Sequence, residues 1–382
     1  MAIEREQIVA FRLSSHNLTR RLAHGSLVEA TAACGVQETP LASAEVALLA
    51  RIEGLTPQLL ESASSVDRTL VTLWSMRGAP YVIAARDLDV FSVGALPVNR
   101  RSFNHFLGGW AGALREAGID PITTLDRMTA AAEVLLDGRT LNVNDLRDGI
   151  HARVRSLSKI KRPESARSDM PEPLFRAVGT AGAVCIVAGR GTDATMARAD
   201  QWLGAARSRA DPDDARAELA RRFLHCYGPA TAQYFADWTQ RDLADAKDAF
   251  SLIGEELDEV DADGKNALLL RSDREGLGSP PEPRGVRLLP VQDPYLQQRD
   301  RAALLPDVSM RRKLWQPVRG PGGVLADGEV VGTWRVRSQG RHLGVTIEPF
   351  KPLRPGTRVA IGAEAERIAA FRRVSAEVRF SA

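Results

Sequence analysis

The residues most able to do chemistry unaided are three cysteines, Cys34, Cys185 and Cys226, and six histidines spread through 382 residues. Thiolates and imidazoles hold metals when they recur at C-x-x-C or i, i+4 spacing. Neither spacing occurs, and the cysteines lie far apart in unrelated contexts. They read as small buried thiols, with no disulfide framework, no structural zinc and no cofactor expected. Asp258 to Gly264 has the acids and glycine of a calcium loop, but the twelfth position from Glu259 is Leu270, where a bidentate glutamate is needed. That stretch reads as a hairpin turn. Gly189-Arg190-Gly191 lacks the later glycine, the preceding strand and the following helix of a dinucleotide loop, so it too is a turn. Metalloenzymes, dinucleotide-dependent enzymes and serine hydrolases therefore lack their constellations.

Charge gives a second lead. Apolar residues make up 44% and charged residues 26%, enough to bury real cores, and Lys and Arg exceed Asp and Glu by only three. That excess is unevenly placed. From Arg299 to the end sixteen basic residues face eight acids, which leaves the first 298 residues net acidic. A further run, Arg153, Arg155, Lys159, Lys161 and Arg162, lies in the centre. Such a run serves either as a solvated linker or as a contact to phosphate. The longest uncharged apolar stretch, Ala181 to Gly189, falls well short of the roughly 20 residues a membrane helix needs. The N-terminus lacks the basic-then-apolar order of an export signal. No membrane association and a cytoplasmic location are expected.

The elements that would carry these charges can be read from hydrophobic periods. Leu219, Phe223, Leu224 and Tyr227 recur at helical spacing until Gly228-Pro229 stops them. A short helix with Tyr234, Phe235 and Trp238 follows, and a third helix carries Ala246, Ala249, Phe250, Ile253 and Leu257. Two strand-like runs then flank Asp263-Gly264 between Val260 and Leu270, a pair suited to a tight hairpin. Three helices and a hairpin are the order of a winged helix. The order recurs upstream, with helices over Leu125 to Leu136, Asn142 to Val154 and Pro171 to Val178, then a strand at Ala183 to Val187. A less regular version begins the chain, with helices over Glu4 to Phe11, Ser26 to Cys34 and Leu41 to Ile52, and a strand at Tyr81 to Ala84. Beyond the Gly/Pro-rich linker 276–285 come Val-rich runs at Val286 to Leu289, Gly323 to Ala326, Glu329 to Val336 and Leu343 to Glu348, and a final helix over Ala363 to Val374. The fold class is therefore α+β: tandem winged helices over 1–120, 121–210 and 211–275, then a small antiparallel, barrel-like β domain over 286–382.

Five segments carry a resemblance that spans nearly the whole chain. They are Gly35-Val36-Gln37, Trp74-Ser75-Met76-Arg77-Gly78-Ala79-Pro80, Phe223 to Trp238 with Tyr227-Gly228-Pro229-Ala230-Thr231, Leu288-Leu289-Pro290 with Asp293-Pro294-Tyr295, and Val331-Gly332-Thr333-Trp334. In order and spacing the chain resembles the bacterial winged-helix DNA glycosylases of the AlkZ/YcaQ kind. The resemblance implies tandem winged helices with a β-barrel and double-stranded DNA as partner, alkylated or crosslinked, bound by a nucleoid-associated monomer. It also implies release of bulky alkylated purines or unhooking of crosslinks. A non-catalytic lesion sensor or regulator on the same scaffold is the alternative.

That family's activity is carried by Gln-x-Gln or Gln-x-Asp, at the place where this chain has Gln37-Glu38-Thr39. Gln37 matches, Thr39 departs, and acidic Glu38 replaces the apolar middle residue. Alkylation at a purine ring nitrogen leaves the base cationic, so cleavage needs little acid help. A positioned water and favourable electrostatics at an oxocarbenium-like sugar suffice. Gln37, Thr39 and Glu38 are thus the catalytic candidates, with capping of the helix near Leu41 as the alternative role of Thr39. Arg77, Arg153, Arg155, Lys159, Lys161, Arg311, Arg312, Lys313, Arg335 and Arg337 are the candidate DNA contacts. Trp74, Trp238 and Trp334 sit in phase with apolar faces and read as core.

Overall fold

The computed structural model describes residues 2–164, 171–204, 210–317 and 320–381. They divide into two compact units, one made of 1–63, 222–234 and 255–382, the other of 64–221 and 235–254. The architecture is α+β, with the helix and hairpin order expected of winged helices and a C-terminal sheet.

In the second unit the helix Pro121–Leu135 begins with Pro at its first turn and with Asp120 Oδ1 accepting the Thr123 N–H at 2.9 Å. Asn142 caps the helix Val143–Arg153 in the same way, accepting from Asn144 N at 2.9 Å. The helix Pro173–Thr180 completes the trio, and Val184–Ala188 pairs antiparallel with Thr195–Arg198 to form the wing. The two-residue strand Leu141–Asn142 adds beyond Thr195–Arg198. On the other side Leu70–Trp74 joins the wing strand through Thr72 and Ile186, and pairs antiparallel with Pro80–Ala84. Leu125, Met128, Leu146, Ile150, Phe175, Val178 and Met196 bury their side chains in one core with Trp74. Gly179 lets the helix press on that tryptophan, because a Cβ there would lie 2.9 Å from the indole ring.

The helices Pro212–Tyr227, Ala232–Thr239 and Leu243–Ser251 follow, then the hairpin Leu257–Ala262 and Lys265–Leu270. Asp263 and Gly264 both take positive φ, 54° and 78°, as a two-residue turn between twisted strands requires. The third helix stops at Ser251, six residues short of expectation, and Leu257 opens the hairpin instead. In the first unit, the N-terminal Ala2–Ile3 runs parallel to Leu257–Ala262, and Ile3, Ile8, Phe11, Val260 and Leu269 close a small core. Arg12, fully buried, satisfies carbonyls freed where the chain turns after Tyr227: its Nη2 donates to Pro229 O at 2.9 Å and its Nε to Gly228 O at 3.2 Å.

The C-terminal sheet runs Val286–Leu289, Gly322–Ala326, Glu329–Gln339 and His342–Pro349 with antiparallel neighbours. The final helix begins at Pro355, eight residues before the expected start, and ends at Phe371. A strand not anticipated from the sequence, Ser375–Phe380, then pairs parallel with His342–Pro349. The preceding helix makes that pairing possible, since a parallel neighbour needs a long crossover. Trp74, Trp238 and Trp334 are 6%, 1% and 4% exposed, which places all three in cores. Among the described residues no helix is long and apolar enough to cross a membrane.

Candidate active site

Gln37 ends the short strand Val36–Gln37, reached from the helix Leu27–Ala32 through Gly35, whose φ of 68° a side chain would strain. Its carboxamide is buried, and Oε1 accepts from Gln297 Nε2 at 2.9 Å. Gln297 Nε2 also donates to the Gln292 carbonyl at 2.9 Å, so the partner amide is itself held from behind.

Gln297 is placed by a buried ion pair. It closes the 3₁₀ turn Pro294–Gln297, whose start is fixed by Asp293 Oδ1 accepting the Tyr295 N–H at 2.9 Å. The same carboxylate forks onto Arg51, with Nη1 to Oδ2 and Nη2 to Oδ1 both 2.8 Å, and Arg51 Nη1 also donates to Ala47 O at 2.9 Å. Side-chain exposure is 2% for Arg51 and 0% for Asp293. Burial alone would lower the guanidinium pKa, yet the charge and hydrogen bonds of Asp293 outweigh it and leave Arg51 above its ordinary value. Arg51, Asp293 and Gln297 therefore form a relay of rigid contacts ending on Gln37. None of the three stood out as functional in the sequence, although Asp293-Pro294-Tyr295 is among the matching segments.

The neighbouring residues divide differently from expectation. Glu38 is buried, and its two oxygens accept the N–H groups of Ala42, at 3.0 Å, and Ala44, at 2.8 Å, at the start of the helix Ser43–Leu49. Helix capping thus belongs to Glu38, because a carboxylate four residues back reaches two orphan N–H groups and meets the positive end of the helix dipole. Thr39 is exposed, and its hydroxyl makes no hydrogen bond among the described residues, so the capping role considered for Thr39 is not realised. Glu38→Ala is expected to cost about 1.5–3 kcal/mol in urea unfolding, the range for hydrogen bonds to a charged group. Thr39→Ala should stay within about 0.5 kcal/mol.

Of the basic candidates, Arg77 lies in the second unit at a left-handed φ of 59° and donates from Nη2 to the Tyr81 hydroxyl at 2.7 Å and from Nη1 to the Trp238 carbonyl. Arg153 ends the helix Val143–Arg153, and Arg155 and Lys159 bound the following 3₁₀ turn. Arg153, Arg155, Lys159 and Lys161 are all exposed and form no ion pair among the described residues. In the first unit Arg311 donates to the carbonyls of Leu305 and Pro306, Lys313 pairs with Glu348 at 2.8 Å, and Arg335 donates to Gln316 at 2.8 Å. Arg312 and Arg337 are exposed and lack such partners among the described residues.

The helix and hairpin order with a C-terminal sheet is that of a winged-helix protein carrying an added β domain. The match to the family of AlkZ-like DNA glycosylases runs over residues 30–371, and the chain belongs to that family. Its partner is accordingly DNA. Among curated proteins it is 27% identical over 360 residues to the interstrand DNA cross-link repair glycosylase of Streptomyces sahachiroi, covering 90% of each chain. The solved structure of the Streptomyces sahachiroi DNA glycosylase AlkZ superposes with a TM-score of 0.79 over 100% of both chains, at 24% identity.

Proposed function

We propose that the chain is a monomeric DNA N-glycosylase that acts in the nucleoid on duplexes carrying bulky N-alkylated purines, including interstrand crosslinks made through such bases. Family membership and the name of the Streptomyces sahachiroi relative support the substrate class. The observation that carries a catalytic role is the Gln37 carboxamide, held by Gln297 in a buried setting. A carbonyl dipole fixed before reaction can favour positive charge on the sugar without reorganising, which is where such dipoles are worth most. Glu38 contributes by fixing the helix after the loop, and Thr39, exposed, is available to hold the attacking water.

The exposed cations are assigned to phosphate, whereas Arg77 spends Nη1 and Nη2 on the Trp238 carbonyl and the Tyr81 hydroxyl. Each contact neutralised steepens the dependence of log affinity on log salt by about 0.9. Replacing Arg153, Arg155, Lys159 and Lys161 by Ala is expected to lower that slope and weaken binding alike across DNA sequences. Unfolding should move by no more than about 0.5 kcal/mol, since all four are exposed. A salt titration of duplex binding with an unchanged slope would remove them from the interface.

The second reading, a lesion sensor without chemistry, draws on one feature: the family motif's third position is a neutral, exposed hydroxyl in Thr39. Incubation with a duplex carrying N7-alkylguanine, free and crosslinked, followed by a strand-break assay for abasic sites, separates the two. Base release supports the glycosylase, and binding without release supports the sensor.

A further inference from the structure

The first unit contains a soft-ligand cluster that the glycosylase reading does not use. His16, Cys34 and Cys226 are 1%, 3% and 0% exposed, and each offers a ligand atom within 4.8 Å of the other two. They come from distant places: His16 caps the end of the helix Arg5–Ser15, Cys34 precedes the strand Val36–Gln37, and Cys226 lies in the last turn of Pro212–Tyr227. No spacing in the sequence could have announced them.

We propose that His16, Cys34 and Cys226 form a structural binding site for a thiophilic divalent cation, zinc being the best fit. Cys34 Sγ lies 3.8 Å from His16 Nδ1. Tetrahedral zinc, with Zn–S of about 2.3 Å and Zn–N of about 2.0 Å, sets its ligands about 3.5–3.8 Å apart, so atoms within 4.8 Å of one another need to close by about 1.3 Å at most. With Nδ1 turned toward the Cys34 thiol, the ring would ligate through that nitrogen as a neutral imidazole. The ring cannot swing away, because it packs edge-on against Tyr227 and Tyr295 at centroid distances of 5.1 and 5.6 Å. Two thiolates and a neutral imidazole balance one divalent cation, so the occupied site carries no net charge. That balance matters here, since Arg51, whose charge acts on both Cys34 and Cys226, is already neutralised by Asp293. Mixed sulfur and imidazole ligands select zinc over magnesium or calcium. The fourth position falls to water or to the Tyr227 hydroxyl, 3.8 Å from Cys34 Sγ. Bound metal would tie three segments together three residues ahead of Gln37.

The test uses the full chain, reduced and stripped with a chelator, titrated with Co(II) and then Zn(II). One equivalent of Co(II) should produce thiolate-to-cobalt absorption in the near ultraviolet and strong visible bands of a tetrahedral site, both erased by Zn(II). Cys34→Ala and Cys226→Ala should each abolish the near-ultraviolet band or most of it, whereas Cys185→Ala, a buried thiol of the other unit, should keep it. Zn(II) should also raise the unfolding midpoint of the wild type and of Cys185→Ala, a readout that stands even where a cluster variant fails to fold. A folded wild type that develops no thiolate band and gains no stability from Zn(II) overturns the site. Bands that persist in folded Cys34→Ala and Cys226→Ala overturn it equally.

Discussion

Gln37→Ala is expected to slow release of an N7-alkylated base by about 10²–10³-fold, the loss seen when one preorganised dipole is removed from a transition-state site. Duplex affinity should change by less than about threefold, because the carboxamide is buried among protein groups and its contribution appears only as the sugar gains charge. Single-turnover kinetics and a binding titration on the same duplex separate the two quantities. Gln297→Ala should give a smaller drop in the same rate, since Gln297 positions Gln37 through one 2.9 Å hydrogen bond. Thr39→Gln restores the family motif at an exposed position and should raise release above the wild-type level. Glu38→Ala should act through stability, because both carboxylate oxygens cap a helix. If Gln37→Ala releases base as fast as the wild type, Gln37 has no catalytic role. If the wild type binds and releases nothing, the sensor reading stands.

Where one residue type dictated a local conformation, the sequence was legible. Gly228-Pro229 ended a helix at Tyr227, Asp263-Gly264 made a tight hairpin, and Asn142 capped Val143–Arg153. Elements defined by distant partners were not. Ala2–Ile3 is too short to show alternation and exists because Leu257–Ala262 offers an edge. Ser375–Phe380 does alternate, with Ala376, Val378 and Phe380 half-buried between exposed Ser375, Glu377 and Arg379, but six residues after a helix do not reveal a parallel partner, which the crossover helix supplies. The site follows the same division. Gln37 stood out by resemblance, whereas Gln297 lies 260 positions away and carries no pattern of its own. In the sequence Glu38 reads as a candidate catalytic carboxylate, and the structure places both its oxygens on backbone N–H groups. The cysteines were expected to be small buried thiols, which they are, but the approach of Cys34, Cys226 and His16 has no signature in spacing.

Arg51→Ala is expected to cost about 3–5 kcal/mol of unfolding free energy, because it strands the Asp293 carboxylate in a site closed to water. Asp293→Ala should cost about as much, since it leaves the Arg51 guanidinium buried with Ala47 O as its remaining acceptor among the contacts described above, and it removes the acceptor for Tyr295 N–H. Replacing both by apolar residues, Arg51→Met with Asp293→Ala, should recover much of the loss, as buried pairs usually give back their desolvation cost when both charges go. Recovery should remain short by about 0.5–2 kcal/mol, the worth of the lost cap on the turn Pro294–Gln297. Urea unfolding of the wild type, Arg51→Met, Asp293→Ala and the double variant completes the cycle. The same double variant then distinguishes stability from positioning. Gln297 is aimed at Gln37 by the turn that Asp293 opens, so a well-folded double variant should still release base more slowly than the wild type while binding duplex normally. Single variants that each cost under about 1 kcal/mol would mean that water reaches the pair. A stable double variant with wild-type kinetics would mean that Gln37 is held without the relay.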